Sequence, residues 1–137
     1  MKISTLPVLL LGMVMFSSGA TLFAQGSAEV SDSLTITSMV LTTDVVNREP
    51  ADPVQTFSAD QEEAFCHLRV QNSGEPTTVT FLWLRNGKEY FRFEARVGTS
   101  PNWRTFSSVT PRPGDWTVQI LDAQGNVLQM KSFSIPG

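Results

Sequence analysis

The sequence predicts an all-β domain, an antiparallel immunoglobulin-like β-sandwich of about seven strands. Three observations indicate this class. Apolar and polar residues alternate with a period of two in successive segments, Gly- and Pro-containing turns separate those segments, and helical periodicity is absent. Because successive residues of a strand point to opposite faces, each segment has one face for a core and one for solvent. Two sheets of such strands bury their apolar faces by packing against each other.

The chain begins with a predicted signal peptide, residues 1–24. An apolar run, Leu6–Phe16, follows a single lysine. Small residues follow this run, and the preferred cleavage position is after Ala24. This run of 11 residues is shorter than the roughly 20 that a membrane-spanning helix needs. We therefore expect a periplasmic or secreted protein with no stable membrane span after cleavage, and an uncleaved anchor is the alternative. Residues 25–33 are expected to be flexible, and residues 34–137 to form one domain.

The first predicted strand covers residues 34–43, which are rich in β-branched residues. Val45 and Val46 are expected to extend it. Two prolines then favour a long surface connection over residues 47–60, because proline lacks a backbone N–H and disfavours a central strand. Phe57 is expected to anchor this connection to the core.

The next two predicted strands differ in how many of their faces are apolar. Residues 64–71 alternate cleanly, which places Cys66 on the core face and His67 on the solvent face. Residues 77–85 are apolar on both faces, so this strand is expected to be central in its sheet. Trp83 within it is the expected core tryptophan.

The pair Asn86-Gly87 predicts a tight hairpin, because both residues accept the positive φ of a type I′ turn. The fourth strand is then residues 88–97. Its alternation assigns Phe91, Phe93, Ala95 and Val97 to the core face, and Lys88, Tyr90, Arg92, Glu94 and Arg96 to the solvent face.

A shorter strand and a closing hairpin complete the predicted fold. The shorter strand covers residues 103–109, and Pro111 and Pro113 turn the chain after it. In the closing hairpin, Gly125-Asn126 joins two strands that alternate in the same way. The apolar residues of its first strand are Trp116, Val118 and Ile120.

The composition bounds the possible chemistry. Cys66 is the only cysteine, so the domain cannot form an internal disulfide, and it lies next to His67 on the opposite face of one strand. A Cys-His catalytic pair is therefore not expected, and one histidine is too few for a zinc site. The segment from Asp122 predicts a turn rather than a calcium loop, because Phe133 stands where the loop needs an acid. We expect no catalytic residue, no metal and no cofactor.

The net charge argues against nucleic acid as the main partner. The whole chain carries a formal charge of -3, and loss of Lys2 with the signal peptide changes it to -4. Binding to a phosphate backbone normally needs clustered lysines and arginines. An unknown protein or glycan is the expected partner.

Two groups of residues are candidates for ligand binding, Tyr90 with Arg92 and Trp103 with Arg104. Aromatic rings beside arginine stack on sugars, peptides or anionic groups. On a flat strand, Trp103 and Arg104 point to opposite faces, so they converge only if the strand begins after Trp103. The structural alternative is that Trp103 closes the end of the sandwich while Arg104 bonds carbonyls of the preceding loop.

A set of motifs spans nearly all of the chain after the signal peptide. The motifs are Phe57-Ser58-Ala59-Asp60, Cys66, Trp83, Trp103-Arg104-Thr105-Phe106-Ser107-Ser108, Gly114-Asp115-Trp116-Thr117-Val118, Asp122, Gly125, Val127, Leu128 and Phe133. In this order the chain resembles DUF2914, a bacterial domain family of unknown function. Two positions differ from the pattern of that family, which often has His where this chain has Phe81 and Lys where it has Val109. The resemblance implies no assigned activity.

Three functions are compatible with these features. The first is an exported, non-enzymatic binding or interaction module with a ligand of unknown identity. The second is a carbohydrate-active hydrolase that uses surface carboxylates, such as those of Asp60 or Asp115. The third is a structural subunit that assembles through open sheet edges.

Overall fold

The computed structural model describes residues 33–137, which contain nine β-strands and no helix. The expected signal peptide and almost all of the expected flexible segment lie outside the described residues. Nothing between residues 33 and 137 is a helix long and apolar enough to cross a membrane. The strands are β1 (Leu34–Thr42), β2 (Val45–Val46), β3 (Glu49–Pro50), β4 (Ala64–Asn72), β5 (Thr77–Arg85), β6 (Lys88–Val97), β7 (Ser100–Val109), β8 (Gly114–Leu121) and β9 (Val127–Ile135).

Seven long strands form two antiparallel sheets with the orders β1-β4-β7 and β6-β5-β8-β9. The chain changes sheet between β4 and β5, between β6 and β7, and between β7 and β8. This Greek-key path is typical of immunoglobulin-like sandwiches. The predicted fold class is confirmed, and β5 is central in its sheet, as its two apolar faces predicted.

The core contains large aromatic side chains from the four-stranded sheet. Trp83 and Trp116 are buried, with ring centroids 6.3 Å apart in an edge-to-face arrangement. Their polar N–H groups are both satisfied: Trp83 Nε1 donates to Ser107 Oγ at 3.1 Å, and Trp116 Nε1 donates to the Arg112 carbonyl at 2.8 Å. Trp116 also stacks on Phe133. Trp83 is therefore the core tryptophan that its position predicted.

Both predicted hairpin turns are present. Asn86 and Gly87 have φ values of 52° and 81°, which is the left-handed backbone that the type I′ turn requires. In the closing hairpin, Asp122 Oδ1 accepts hydrogen bonds from the backbone N–H groups of Gln124 and Asn126. Burial alone would raise the pKa of Asp122, but these hydrogen bonds outweigh it and hold the pKa below its ordinary value. The turn interpretation of Asp122 is thus confirmed.

The segment after β1 differs from the prediction. Val45 and Val46 do not extend β1; they form β2, which pairs with β3 in a separate two-stranded hairpin. The chain reverses because Asn47 and Arg48 both adopt positive φ, 53° and 66°. Asparagine tolerates this conformation, whereas arginine adopts it rarely, so the sequence carries only a weak signal for the turn.

The surface position expected for His67 is wrong, because the small β2–β3 hairpin covers this residue. His67 lies on the outer face of β4 as the alternation predicted, yet it is 0% exposed. The hairpin covers this part of the sheet, and the carbonyl of Arg48 accepts a hydrogen bond from His67 Nε2 at 2.8 Å. Alternation identifies the face of a strand but not what packs against that face.

The fourth predicted strand is correct in extent but only partly correct in its buried face. Ala95 and Val97 are buried as expected, whereas Phe91 and Phe93 are 43% and 40% exposed. The reason is that β6 is an edge strand, so the opposite sheet covers only one end of it. A β-bulge opposite Trp83 and Leu84 also shifts the register there.

The connection between β3 and β4, which we call the Phe57 connection, is anchored by Phe57, as expected. Its buried ring lies 5.4 Å from that of Phe133, in an edge-to-face contact. The Thr56 hydroxyl donates to the Ser134 carbonyl on β9, and the Val54 amide donates to the Leu41 carbonyl on β1. The connection therefore covers the side of the sandwich where β1 and β9 lie.

Candidate functional site

The opposite side of the sandwich, where the edge strands β6 and β7 lie, contains an apolar groove of about 230 Å³. We call it the β7 groove. Three phenylalanines that line it are each at least 40% exposed. The lining residues are Phe91, Phe93, Phe106, Ser107 and Ser108.

The phenylalanines of the β7 groove come from two different faces. Phe93 pairs with the buried Phe81 across β5 and β6, so it lies on the inner face of its sheet. Phe106 pairs with His67 and therefore lies on the outer face of the other sheet, where its ring is 6.1 Å from that of Phe65. The edge of β7 at Ser107 lies between these two sets of rings.

The edge of β7 in this groove has no partner strand within residues 33–137. β7 pairs with β4 alone, and β6 pairs with β5 alone. An edge strand of this kind presents backbone N–H and C=O groups that another strand is able to bond. On the other side of the sandwich, the Phe57 connection covers the corresponding position. The sandwich therefore has one side that this connection covers and one side on which the edge of β7 is open.

Tyr90, one of the candidate residues, lies next to the β7 groove. A second groove of about 400 Å³ shares Phe91 and Ser108 with the first and is lined further by Tyr90 and Glu63. The Tyr90 ring packs 4.8 Å from that of Trp116. Because Tyr90 is the extra residue of the β-bulge, it contacts the core instead of pointing only to solvent.

Arg92 forms an exposed ion pair with Glu89, with Nη2 and Oε1 3.0 Å apart. Both side chains are about half exposed, and the pair belongs to a single strand. The described side-chain hydrogen bonds of Arg92 both go to Glu89, and none goes to a residue that lines the β7 groove. The structure therefore does not bring Arg92 together with Tyr90 in one site.

Trp103 and Arg104 lie on opposite faces of β7, which begins at Ser100 and so is longer than predicted. Trp103 pairs with the buried Val70 and packs against the core, and its ring lies directly over Gly98. Arg104 pairs with Arg69 on the outer face and bonds Glu49. The two candidate residues do not converge on one ligand position.

Glu49 joins two arginines on this outer face. Its two carboxylate oxygens accept hydrogen bonds from Arg69 Nη2 and from Arg104 Nη1. The hydrogen bond from Arg104 and the nearby charges of both arginines hold the pKa of Glu49 below its ordinary value. Glu49 is therefore ionised at neutral pH.

The residues with catalytic potential are held apart. Burial raises the pKa of the Cys66 thiol to about 12, so the thiol is protonated at neutral pH, and His67 lies on the other face of the strand. Asp115 accepts a hydrogen bond from the Ser134 hydroxyl, whereas Asp60 is exposed on the Phe57 connection. No group of three or more His, Cys, Asp or Glu side chains suited to a metal ion occurs among residues 33–137.

The groove phenylalanines were missed by sequence reasoning. Phe91 and Phe93 alternate like core residues, and nothing in that alternation indicates that β6 lies at an edge. Phe106 offered a signal, because it shares its face of the strand with the charged Arg104. A large apolar residue on a polar strand face is a candidate contact for a partner.

Comparison with known families relates this fold to a described group. Residues 76–135, from the residue before β5 to the end of β9, match the DUF2914 family model, which is described as a protein of unknown function. The match confirms, over these residues, the resemblance to DUF2914 that the sequence motifs indicated. The DUF2914 match includes all the groove phenylalanines and Arg104, whereas the Phe57 and Cys66 motifs lie before it. No curated protein matches the chain.

Proposed function

We propose that this protein is an exported, non-enzymatic interaction module, which binds an extended protein segment by adding it as a strand to the outer edge of β7. One observation carries the proposal: an edge of β7 that pairs with no strand of the described part of the chain lies in a groove that three exposed phenylalanines line. An added strand would bond the free backbone groups of β7. Its side chains would alternate between the rings of Phe91 and Phe93 on one face and Phe106 on the other.

The chemistry of the groove favours an apolar protein segment over a glycan or a nucleic acid. Its lining consists of phenylalanine and serine side chains and contains no charged group. The overall formal charge of -3 also opposes binding to a phosphate backbone. Phenylalanine rings contribute apolar area with few rotatable bonds, which favours tight packing of a bound side chain.

A binding role is favoured over the hydrolase alternative because the reactive groups are poorly placed for catalysis. The Cys66 thiol is fully buried, and the His67 ring is covered by the β2–β3 hairpin. A hydrolase would need a second carboxylate near Asp60 or Asp115 in a cleft. Export itself is part of the proposal and depends on the signal peptide expected over residues 1–24.

The test is selection of binding peptides from a random display library on the domain without residues 1–24. We expect the selected peptides to bind wild-type protein and to bind Phe91→Ala and Phe106→Ala at least about tenfold more weakly. Met130→Ala is the matched control, because Met130 is 52% exposed on β9, the edge strand of the other side. Equal binding by the groove variants and the wild type would overturn the proposal.

Hydrogen exchange on the same complexes locates the added strand. We expect a bound peptide to slow exchange of amides on the outer edge of β7, because strand addition converts free N–H groups into bonded ones. Protection confined to other strands would contradict the proposed mode. If sedimentation instead shows that the free protein dimerises and that Phe106→Ala abolishes the dimer, the occupant is a second copy, as expected for a structural subunit.

A further inference from the structure

Two arginines lie directly opposite each other on the outer face of the β1-β4-β7 sheet. Arg69 on β4 is the register partner of Arg104 on β7, and each side chain is 33% exposed. Like charges at directly opposed positions of an antiparallel pair destabilise a sheet unless an anion lies between them. The pair therefore creates a place for a negative group.

A carboxylate occupies that place in a defined geometry. Glu49 Oε1 accepts from Arg69 Nη2 and Glu49 Oε2 accepts from Arg104 Nη1, so each oxygen bonds a different guanidinium. Arg69 Nη1 also donates to Asn102 Oδ1 at 3.1 Å, which helps to orient its side chain. Planar guanidinium groups suit the two oxygens of a carboxylate better than a spherical anion.

The two arginines and the carboxylate belong to different parts of the fold. Arg69 and Arg104 project from long, paired strands, whereas Glu49 lies on the β2–β3 hairpin, which has only two residue pairs. The turn of that hairpin includes Arg48 with a φ of 66°, a conformation that costs energy for a non-glycine residue. We call Arg69 and Arg104 the arginine clamp. Both of its residues project from long strands, whereas the carboxylate between them belongs to a small hairpin.

The contacts beneath the hairpin leave one polar group unsatisfied. Arg48 holds the hairpin through its carbonyl, which accepts from His67 Nε2, and through its side chain, which donates to the Arg104 carbonyl at 3.0 Å. The buried His67 Nδ1 has no hydrogen-bond partner among residues 33–137. An unpaired buried polar atom weakens the docking of the hairpin.

We propose that Arg69 and Arg104 form a carboxylate-binding site, in which Glu49 is a tethered occupant that a carboxylate of a ligand displaces. A tethered group competes at an effective concentration in the millimolar range or above, so displacement in the wild type requires a ligand with further contacts. Removing the Glu49 carboxylate exposes the site to a small free carboxylate. This inference is independent of peptide binding in the β7 groove.

Chemical rescue with acetate tests the proposal, with sodium chloride at equal ionic strength as the reference. We expect Glu49→Ala to lower the melting temperature and acetate to restore it saturably. We also expect acetate to bind this variant at least about tenfold more tightly than wild type, in which the tethered carboxylate competes. The matched control is Glu89→Ala, which frees Arg92, a single guanidinium in an exposed ion pair.

The outcomes of this experiment separate a binding site from a purely structural ion pair. An equal response to acetate by Glu49→Ala and Glu89→Ala would overturn the proposal, and so would a response that survives Arg104→Lys in the Glu49→Ala background. If Glu49→Ala stays unfolded in acetate, Glu49→Gln keeps the side-chain volume and is examined by NMR. Selective shifts of the Arg69 and Arg104 Nε–H signals on acetate titration support the site, and unchanged signals overturn it.

Discussion

The indole N–H of Trp83 donates a 3.1 Å hydrogen bond to Ser107 Oγ, from the central strand of one sheet to the edge strand of the other. Both residues are buried. Ser107 also lines the β7 groove, so this bond connects the core tryptophan to the groove's edge.

Ser107→Ala should destabilise the domain by about 1 to 3 kcal/mol, because the buried Trp83 N–H loses its acceptor. Urea unfolding followed by tryptophan fluorescence measures the change. Ser108→Ala is the control, since the Ser108 hydroxyl bonds the exposed Glu63 at 3.3 Å and its loss should cost little. Equal effects of the two substitutions would contradict the assigned role of the Trp83 bond.

Trp116→Ala should cost about 3 to 5 kcal/mol of unfolding free energy, because a large buried side chain leaves a cavity. Trp116 is 1% exposed and contacts the rings of Trp83, Tyr90 and Phe133. Denaturant unfolding measures the cost, and the exposed Met130→Ala should change it by less than about 0.5 kcal/mol. A small effect at Trp116 would show that the packing around it is wrong.

The stability of the domain should fall as the pH decreases through the titration of His67. Burial lowers the pKa of His67, and the charges of Arg69 and Arg104 add to this effect, while the bond to the Arg48 carbonyl and the charge of Glu49 oppose it. Because the folded pKa lies below the unfolded value of about 6.5, the unfolded state takes up the proton first on acidification.

The contribution of His67 is therefore fully present above about pH 6.5 and is lost as the pH falls from there toward the folded pKa. The slope should reach at most about 1.4 kcal/mol per pH unit for one proton. Urea midpoints measured between pH 7.5 and 5 test this, with His67→Gln as the control that removes the titrating group. An identical pH dependence in the variant would exclude His67 as the source.

Cys66 should resist thiol reagents in the folded protein. The side chain is 0% exposed and burial raises its pKa to about 12, so almost no thiolate is present at neutral pH. Labelling with an aromatic disulfide should follow global unfolding and reach completion in denaturant. Since one cysteine cannot form an internal disulfide, reductant should leave the melting temperature of the monomer unchanged. Rapid labelling in native buffer would contradict the buried position.

We predict that signal cleavage leaves a protein that begins at Gln25, because the short apolar run and the Ala24 context fit a removable signal. Intact mass of protein recovered from the periplasm or medium tests the cleavage position. Substituting Ala24 with a bulky residue should retain the precursor. Wild-type protein that still carries Met1 in the membrane fraction would identify residues 1–24 as an anchor.

The amino-acid sequence by itself determined the features that depend on neighbours in the chain. Asn86-Gly87 predicts its turn because positive φ is a property of those two residues. The alternation around Trp83 and Trp116 predicts their shared burial because side-chain direction along a strand has a fixed period. The resemblance to DUF2914 also follows from the order of such motifs, and a family model matches residues 76–135.

The tertiary structure alone decided what lies against each strand face and which strands form the edges. Alternation placed His67 on the outer face, but only the position of the β2–β3 hairpin buried it. Phe91 and Phe93 have the pattern of core residues, yet they line an open groove because β6 has a neighbour on one side only. The arginine clamp and Glu49 join three strands far apart in sequence. Such contacts depend on how the sheets and hairpin pack, and a period of two along one strand carries no information about that packing.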